Sequence, residues 1–321
     1  MRRYLSVALA LVLAGVLLAG CGGNGAEENG DGSAEPKGPV TIGSKIDVEG
    51  PILGYLIAAV LEDAGFEVVD RMRTGATDVV RNALLVGEID GYPEYTANAL
   101  TVFFADEQID PAILQNAEAT WEEAARLDLE NENIVWLRPA PANNTWAVAV
   151  PREFAESNGI ATLEEWGEFI NGGGEVKVAG SQEFFDRDDA MPGFEAAYGF
   201  SLTAAQKVSL ATGDTAVTAK AAADGTDGVN AAMVYGTDGT IAALDLFVLE
   251  DPLGVQPIYQ PAPIFRGEVL DEYPEIADLL EPVFAMLDLE TLQTLNAEVA
   301  LEGRDAREVA ESWLQTEGFI D

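Results

Sequence analysis

The chain has 321 residues, 48% of them hydrophobic, enough to build a real core in a protein of about 300 residues with room for two lobes of ordinary size. Seventeen basic residues stand against 56 acidic ones, and a formal net charge of −39 repels nucleic acid and anionic lipid head groups. With no histidine and one cysteine, the commonest general base, the commonest transition-metal ligand and an intrachain disulfide are all excluded.

In chain order, Arg2 and Arg3 precede an apolar run over 5–18, which ends in Leu18-Ala19-Gly20-Cys21. A basic start, a short apolar stretch and small residues before a cut site make a secretory signal, too short to span a bilayer comfortably. The Leu-Ala-Gly-Cys ending resembles the lipobox of bacterial lipoproteins. That resemblance implies a signal peptide over 1–20 and lipid on Cys21 as the mature N-terminus, with no thiol left for metals or catalysis. The expected location is the extracytoplasmic face of the cell membrane, held by the lipid alone, or the periplasm. Residues 21–39 are glycine, acid and proline with almost nothing apolar, so they read as a flexible tether, with order beginning near Val40.

From there strands and helices alternate. Strands are expected over 40–44, 66–72 and 89–92, helices over 51–64, 77–86, 95–104 and 111–128. A second run begins with a strand over 145–150, stopped by Pro151, and continues with helices over 152–158 and 163–170. Strands follow at 176–179 and 229–235 around a helix over 215–223. The last part holds strands near 247–249 and 262–265 and helices over 276–286, 289–300 and 306–316, the last with Asp305 as its N-cap. Strand–helix alternation at this spacing predicts an α/β fold with mostly parallel sheets. The acids lie largely on helix faces such as 118–132, a solvated surface suited to high salt.

Four segments mix glycine, proline, aromatic and charged residues at strand ends, where binding residues collect. They are Ile42-Gly43-Ser44-Lys45, residues 87–96 with Tyr92-Pro93-Glu94-Tyr95-Thr96, Glu183-Phe184-Phe185-Asp186-Arg187, and residues 234–239 with Tyr235-Gly236-Thr237-Asp238-Gly239. Together with Asn143-Asn144-Thr145-Trp146, the Leu-Glu-Asp-Pro-Leu-Gly stretch at 249–254 and the closing helices, they form seven blocks in order from Val40 to Phe319. In that order they resemble the substrate-binding proteins of ABC transporters for glycine betaine, choline and related osmoprotectants.

The resemblance implies a type II periplasmic-binding-protein fold: two α/β lobes, a hinge, and a ligand in the cleft between them. It assigns 40–144 and 246–321 to the first lobe and 145–245 to the second, with chain crossings near Asn144 and Asp245. It further implies a trimethylammonium ligand boxed by Tyr95, Trp146, Tyr235 and Tyr259, with Lys45 and Arg187 supplying cations for a ligand carboxylate. Such an ammonium donates no hydrogen bond, so aromatic faces suit it, each worth roughly 0.5–2 kcal/mol when desolvated. Asn98 stands where threonine is common and Asn144 where some members carry an acid. Gly-Ser-Lys-Ile-Asp-Val-Glu-Gly (43–50) departs from the commoner GSK-x-Phe-x-Glu-Gln, and looks more like a stress-associated, weaker-binding branch. The implied partners are the solute, an ABC permease and its ATPase; the receptor itself is expected to be a monomer without cofactor or metal.

On residue types alone, Trp121, Trp136, Trp166, Tyr198 and Trp313 belong to packing faces, and Asp186-Asp188-Asp189 lacks the spacing and glycine of a calcium loop. The alternatives are a receptor for choline, carnitine or ectoine, and a tethered hydrolase working with two carboxylates. The hydrolase has no histidine, thiol or serine–base motif to draw on, and the cleft motifs are aromatic and basic.

Overall fold

The computed structural model describes residues 37–210 and 214–321. The expected signal peptide, Cys21 and the tether up to residue 36 lie outside the described residues. Ordered chain starts earlier than Val40: Lys37, Gly38 and Pro39 already belong to the first strand, where Lys37 pairs with Phe66.

The first sheet is built from β1 (Lys37–Lys45), β2 (Phe66–Gly75), β3 (Gly91–Tyr95), β4 (Ile134–Trp136) and, much later in the chain, β10 (Pro261–Arg266), in the order β2-β1-β3-β10-β4. The second contains β5 (Trp146–Pro151), β6 (Val178–Ser181), β7 (Lys207–Leu210), β8 (Ala231–Tyr235) and β9 (Leu246–Val248), in the order β7-β6-β8-β5-β9. Both sheets are mixed, which corrects the expectation of mostly parallel ones. β1 runs parallel to β2 and β3, but β10 is antiparallel to β3 and β4. β6 runs parallel to β7 and β8, but β5 is antiparallel to β8 and β9. The cause is where the chain crosses. β3 and β8 run toward the gap between the sheets, ending at Tyr95 and Tyr235; β5 and β10 are the strands that arrive from that gap and must run away from it.

The crossings are the segments 137–145 and 249–260, and they lie side by side. Asn144 N–H donates to the Tyr259 carbonyl at 2.8 Å and Tyr259 N–H donates to Asn143 Oδ1 at 2.8 Å. The second crossing therefore comes after β9, not at Asp245. β9 pairs with β5 through Ala149–Val248 and Val150–Phe247, so residues 246–248 go with the second sheet.

Each sheet has its own core. In the first, the helix Glu49–Asp63 places Ile52, Leu53, Leu56, Ile57 and Leu61 on faces that are fully buried against residues such as Phe284, Leu292 and Leu314. Each such side chain contributes about 1.5–3 kcal/mol by leaving water. The helix stops at Gly65, whose φ of +86° suits a residue without Cβ. In the second, Trp166, Phe184, Phe194 and Met233 are buried around β6 and β8. Trp121, Trp136, Trp166, Tyr198 and Trp313 all pack in these cores or at their margins.

Several helices differ from expectation. Residues 111–128 are not one helix: Pro111–Leu114 stops, and Ala117–Glu132 restarts at Asn116, whose side chain accepts from Ala119 N–H at 2.9 Å. Residues 95–104 become a short turn Thr96–Asn98 followed by a π-helical turn Ala99–Phe103, a form frequent at functional sites. The Glu183-to-Arg187 segment, placed at a strand end with no element assigned to it, lies mostly on the helix Gln182–Asp186, capped by Ser181 Oγ at 3.0 Å from Phe184 N. Asp305 does cap the last helix, accepting from Arg307 and Glu308 N–H.

Candidate ligand-binding site

The strand ends converge on a cavity of about 230 Å³ between the two sheets. Lys45 ends β1, Tyr95 ends β3, Trp146 opens β5, Tyr235 ends β8, and Tyr259 stands just before β10. All eight residues singled out from the sequence line it: Lys45, Tyr95, Asn98, Asn144, Trp146, Arg187, Tyr235 and Tyr259. Asp47, Thr77 and Glu183 line it too, and sequence reasoning did not place them there.

Four aromatic rings form its walls. Trp146 and Tyr235 face each other across the β5–β8 register with centroids 6.1 Å apart and planes within 20°. Tyr259 is tilted against Trp146 at 6.2 Å, and Phe184 backs Trp146 edge-on at 5.9 Å. Burial, reinforced by nearby acids, pushes the phenols of Tyr95 and Tyr235 well above their ordinary value; burial likewise raises Tyr259. All three are neutral donors across physiological pH.

The two cations do not stand alone. Lys45 Nζ lies 2.7 Å from Glu94 Oε1, donates to Thr77 Oγ1 at 3.2 Å and sits 5.1 Å above the Tyr95 ring. Arg187 grips Asp189 with Nε and Nη2 at 2.8 and 2.6 Å. Its Nη1 donates to Glu183 Oε1 at 3.0 Å and to Asn98 Oδ1 at 3.1 Å, and Nη2 to Thr101 Oγ1 and the Tyr259 hydroxyl. The guanidinium carbon Cζ lies 4.5 Å from the Trp146 ring centroid. Burial alone would raise Asp189; the Arg187 guanidinium more than offsets it and holds that carboxyl below its ordinary value. A cation this far from water needs such a partner, so Arg187 pairs with Asp189 and Glu183 and not with the flanking Asp186 or Asp188.

Arg187 also joins the two halves. It and Asp189 belong to the second; Asn98, Thr101 and Tyr259 come from the first. Thr101 lies on the π-helical turn, three residues beyond Asn98. On the opposite side Glu49 is the hub. It accepts from the Tyr95 hydroxyl and Asn144 Nδ2, both at 2.9 Å, and from Asn296 Nδ2 at 2.7 Å. Burial nonetheless pushes Glu49 above its ordinary value. Asn296 Nδ2 also reaches the Thr237 carbonyl at 3.0 Å, and Gln293 Nε2 the Gly236 carbonyl at 2.9 Å. Gly239 lies so close to the helix Leu289–Ala300 that a Cβ there would be 2.3 Å from the Gln293 oxygen. Two lining residues keep a buried polar atom without a protein partner among the described residues: Asn144 Oδ1 and Trp146 Nε1.

Among the described residues no group of histidine, cysteine and acids is arranged to hold a metal, and no helix is long and apolar enough to cross a membrane. The arrangement can enclose a small solute with apolar, electron-rich walls and polar ends.

Residues 38–316 match the family described as the substrate binding domain of ABC-type glycine betaine transport system. The chain is 53% identical over 281 residues to the glycine betaine-binding protein YehZ of Escherichia coli (strain K12), covering 88% of this chain and 91% of that one. It is 31% identical over 287 residues to the glycine-betaine-binding protein of Pseudomonas aeruginosa, covering 87% and 88%. Among solved structures, apo YehZ from Escherichia coli superposes with a TM-score of 0.66 at 52% identity, over 88% of this chain and all of that one. A glycine betaine/carnitine/choline ABC transporter structure superposes with a TM-score of 0.70 at 20% identity, covering 88% and 100%, which shows the two-lobed fold.

Proposed function

The chain belongs to the substrate-binding domain family of ABC-type glycine betaine transport systems, and from that premise we propose that it takes glycine betaine, or a close quaternary-ammonium relative, between its two lobes. Proteins of this family are solute-binding components of importers and not enzymes. They work outside the cytoplasm and hand a small osmolyte to a permease.

The observation that carries the ligand reading is the ring set: Tyr95 and Tyr259 from the first lobe, Trp146 and Tyr235 from the second, around one small cavity. A trimethylammonium spreads its charge over methyl groups and is held by aromatic faces, and several rings are needed for useful affinity. A ligand touching both lobes favours the arrangement in which they meet, so binding shifts the population toward it; hinge closure of this kind is general for such receptors. Asn98, Asn144, Lys45 and Arg187 complete the polar rim. A ligand carboxylate reaching Lys45 or Arg187 shares them with Glu94 or with Asp189 and Glu183. In this reading Cys21 carries the lipid, the tether lets a monomeric receptor meet its permease and ATPase, and the lobes divide within 137–145 and 249–260.

Calorimetric titration of the protein lacking residues 1–20 with glycine betaine, choline, carnitine and ectoine tests the reading. Heat of binding is expected for glycine betaine. Binding of ectoine with no response to any trimethylammonium compound refutes it.

A further inference from the structure

The two carboxylates on the cavity wall are differently placed. Glu183 shares the Arg187 guanidinium with Asp189 and is bonded by Thr77 Oγ1 at 3.2 Å. Asp47 forms no ion pair with any lysine or arginine among the described residues. Its Oδ1 accepts from Gly50 N–H at 2.6 Å, in the first turn of the helix Glu49–Asp63, and its Oδ2 has no hydrogen-bond partner among the described residues. Glu49, two residues on, is by contrast buried and saturated by three donors. Asp47 is half-buried and lines the cavity. Tyr95 and Tyr235, one from each lobe, line the same cavity.

Each lining cation is already paired, so Asp47, a carboxylate that no lysine or arginine touches among the described residues, adds uncompensated negative charge to the box. We propose that Asp47 is a specificity-determining residue, whose carboxylate faces the ligand's quaternary ammonium and weights the site toward monocations over zwitterions. The inference rests on the quaternary-ammonium reading above. A monocation such as choline gains the full attraction. A zwitterion gains the same attraction at its ammonium and loses part of it to repulsion at its carboxylate.

The test is calorimetric titration of choline and glycine betaine into the wild type, Asp47→Asn and Asp47→Ser. Both replacements keep an oxygen for Gly50 N–H, and equal melting temperatures establish that the helix start is intact; either variant suffices if the other unfolds. Removing the charge is expected to weaken choline by about tenfold and betaine by clearly less, so that the ratio of the two affinities moves. Equal losses for both ligands, or no loss for choline, overturn the inference. A wild type that takes betaine and not choline also overturns it and leaves the quaternary-ammonium reading intact. A wild type that takes neither refutes that reading and the inference with it.

Discussion

Asp238 sits in the turn after Tyr235 and carries a sharp expectation for stability against pH. Its carboxylate is buried, accepting from Tyr235 N–H at 2.8 Å and from Thr215 Oγ1 at 2.7 Å. Burial first, and then the like charges of Glu49 and Asp47 across the interface, push it from 3.8 up to about 7. Below pH 3.8 it is protonated in both folded and unfolded chain. Between about 4 and about 7 the fold keeps the proton that the unfolded chain has lost, so this group's contribution to stability falls as pH rises, and is flat above about 7. Three pH units at about 1.4 kcal/mol each give about 4 kcal/mol as an upper limit. Glu49, Asp47 and Asp128 also move up while Asp189 moves down, so the wild-type curve mixes several groups. The difference between Asp238→Asn and wild type isolates one. Asparagine keeps an oxygen for Tyr235 N–H and offers an N–H to Thr215 Oγ1. The melting temperature of Asp238→Asn minus that of the wild type is expected to climb between pH 4 and 7 by up to about 8 °C, at about 2 °C per kcal/mol. Differential scanning calorimetry in buffers of equal ionic strength measures it. A difference that stays constant over that range refutes the reasoning.

Trp146→Ala removes one wall of the box, and about tenfold weaker glycine betaine binding is expected by calorimetry from a ring worth roughly 1–2 kcal/mol; an unchanged Kd for a folded variant removes Trp146 from the box. Gly239→Val puts a branched side chain where even a Cβ meets Gln293 and Ala297. The lobes then cannot meet at that face, and small-angle scattering with saturating betaine should give a larger radius of gyration than wild type; an equal radius counts against closure there. Screening relieves like-charge repulsion on a chain of net charge −39, so the melting temperature should rise as the Debye length shrinks toward about 3 Å near 1 M salt. A flat or falling trend opposes that.

The set of four rings was legible through the family resemblance; on residue pattern alone only Tyr95 and Tyr235 fell in segments at strand ends that stood out. Tyr95 follows Tyr92-Pro93-Glu94, and Tyr235 precedes Gly236. Helix ends were legible for the same local reasons, as Asp305 and Gly65 illustrate. What depends on distant partners was not. Glu94 and Asp189 look like any other acid in an acid-rich chain until the fold brings them to Lys45 and Arg187. Strand direction left no trace either, since alternation and run length read alike in parallel and antiparallel neighbours. β4, three residues long, is too short to show a period; β9 was read as a strand, but its pairing with β5, far back in the chain, was not visible, so residues 246–248 were put with the first lobe. Asp47 was visible only as a departure from a family pattern.

The position of β10 imposes an order on assembly. Its partners on either side are β3 and β4, and its pairings Pro261–Tyr95 and Ile264–Trp136 close loops of 166 and 128 residues. Until residues 261–266 are in place, β3 and β4 expose facing edges with nothing between them. The second sheet needs only residues 146–248, a continuous stretch. A chain emerging N-terminus first can therefore complete its second lobe while its first stays open, and the slow, entropically costly pairing of distant strands falls to the last step. An open β3 edge is also a template for another chain, so the half-made first lobe is the stage at which this protein is most exposed to aggregation.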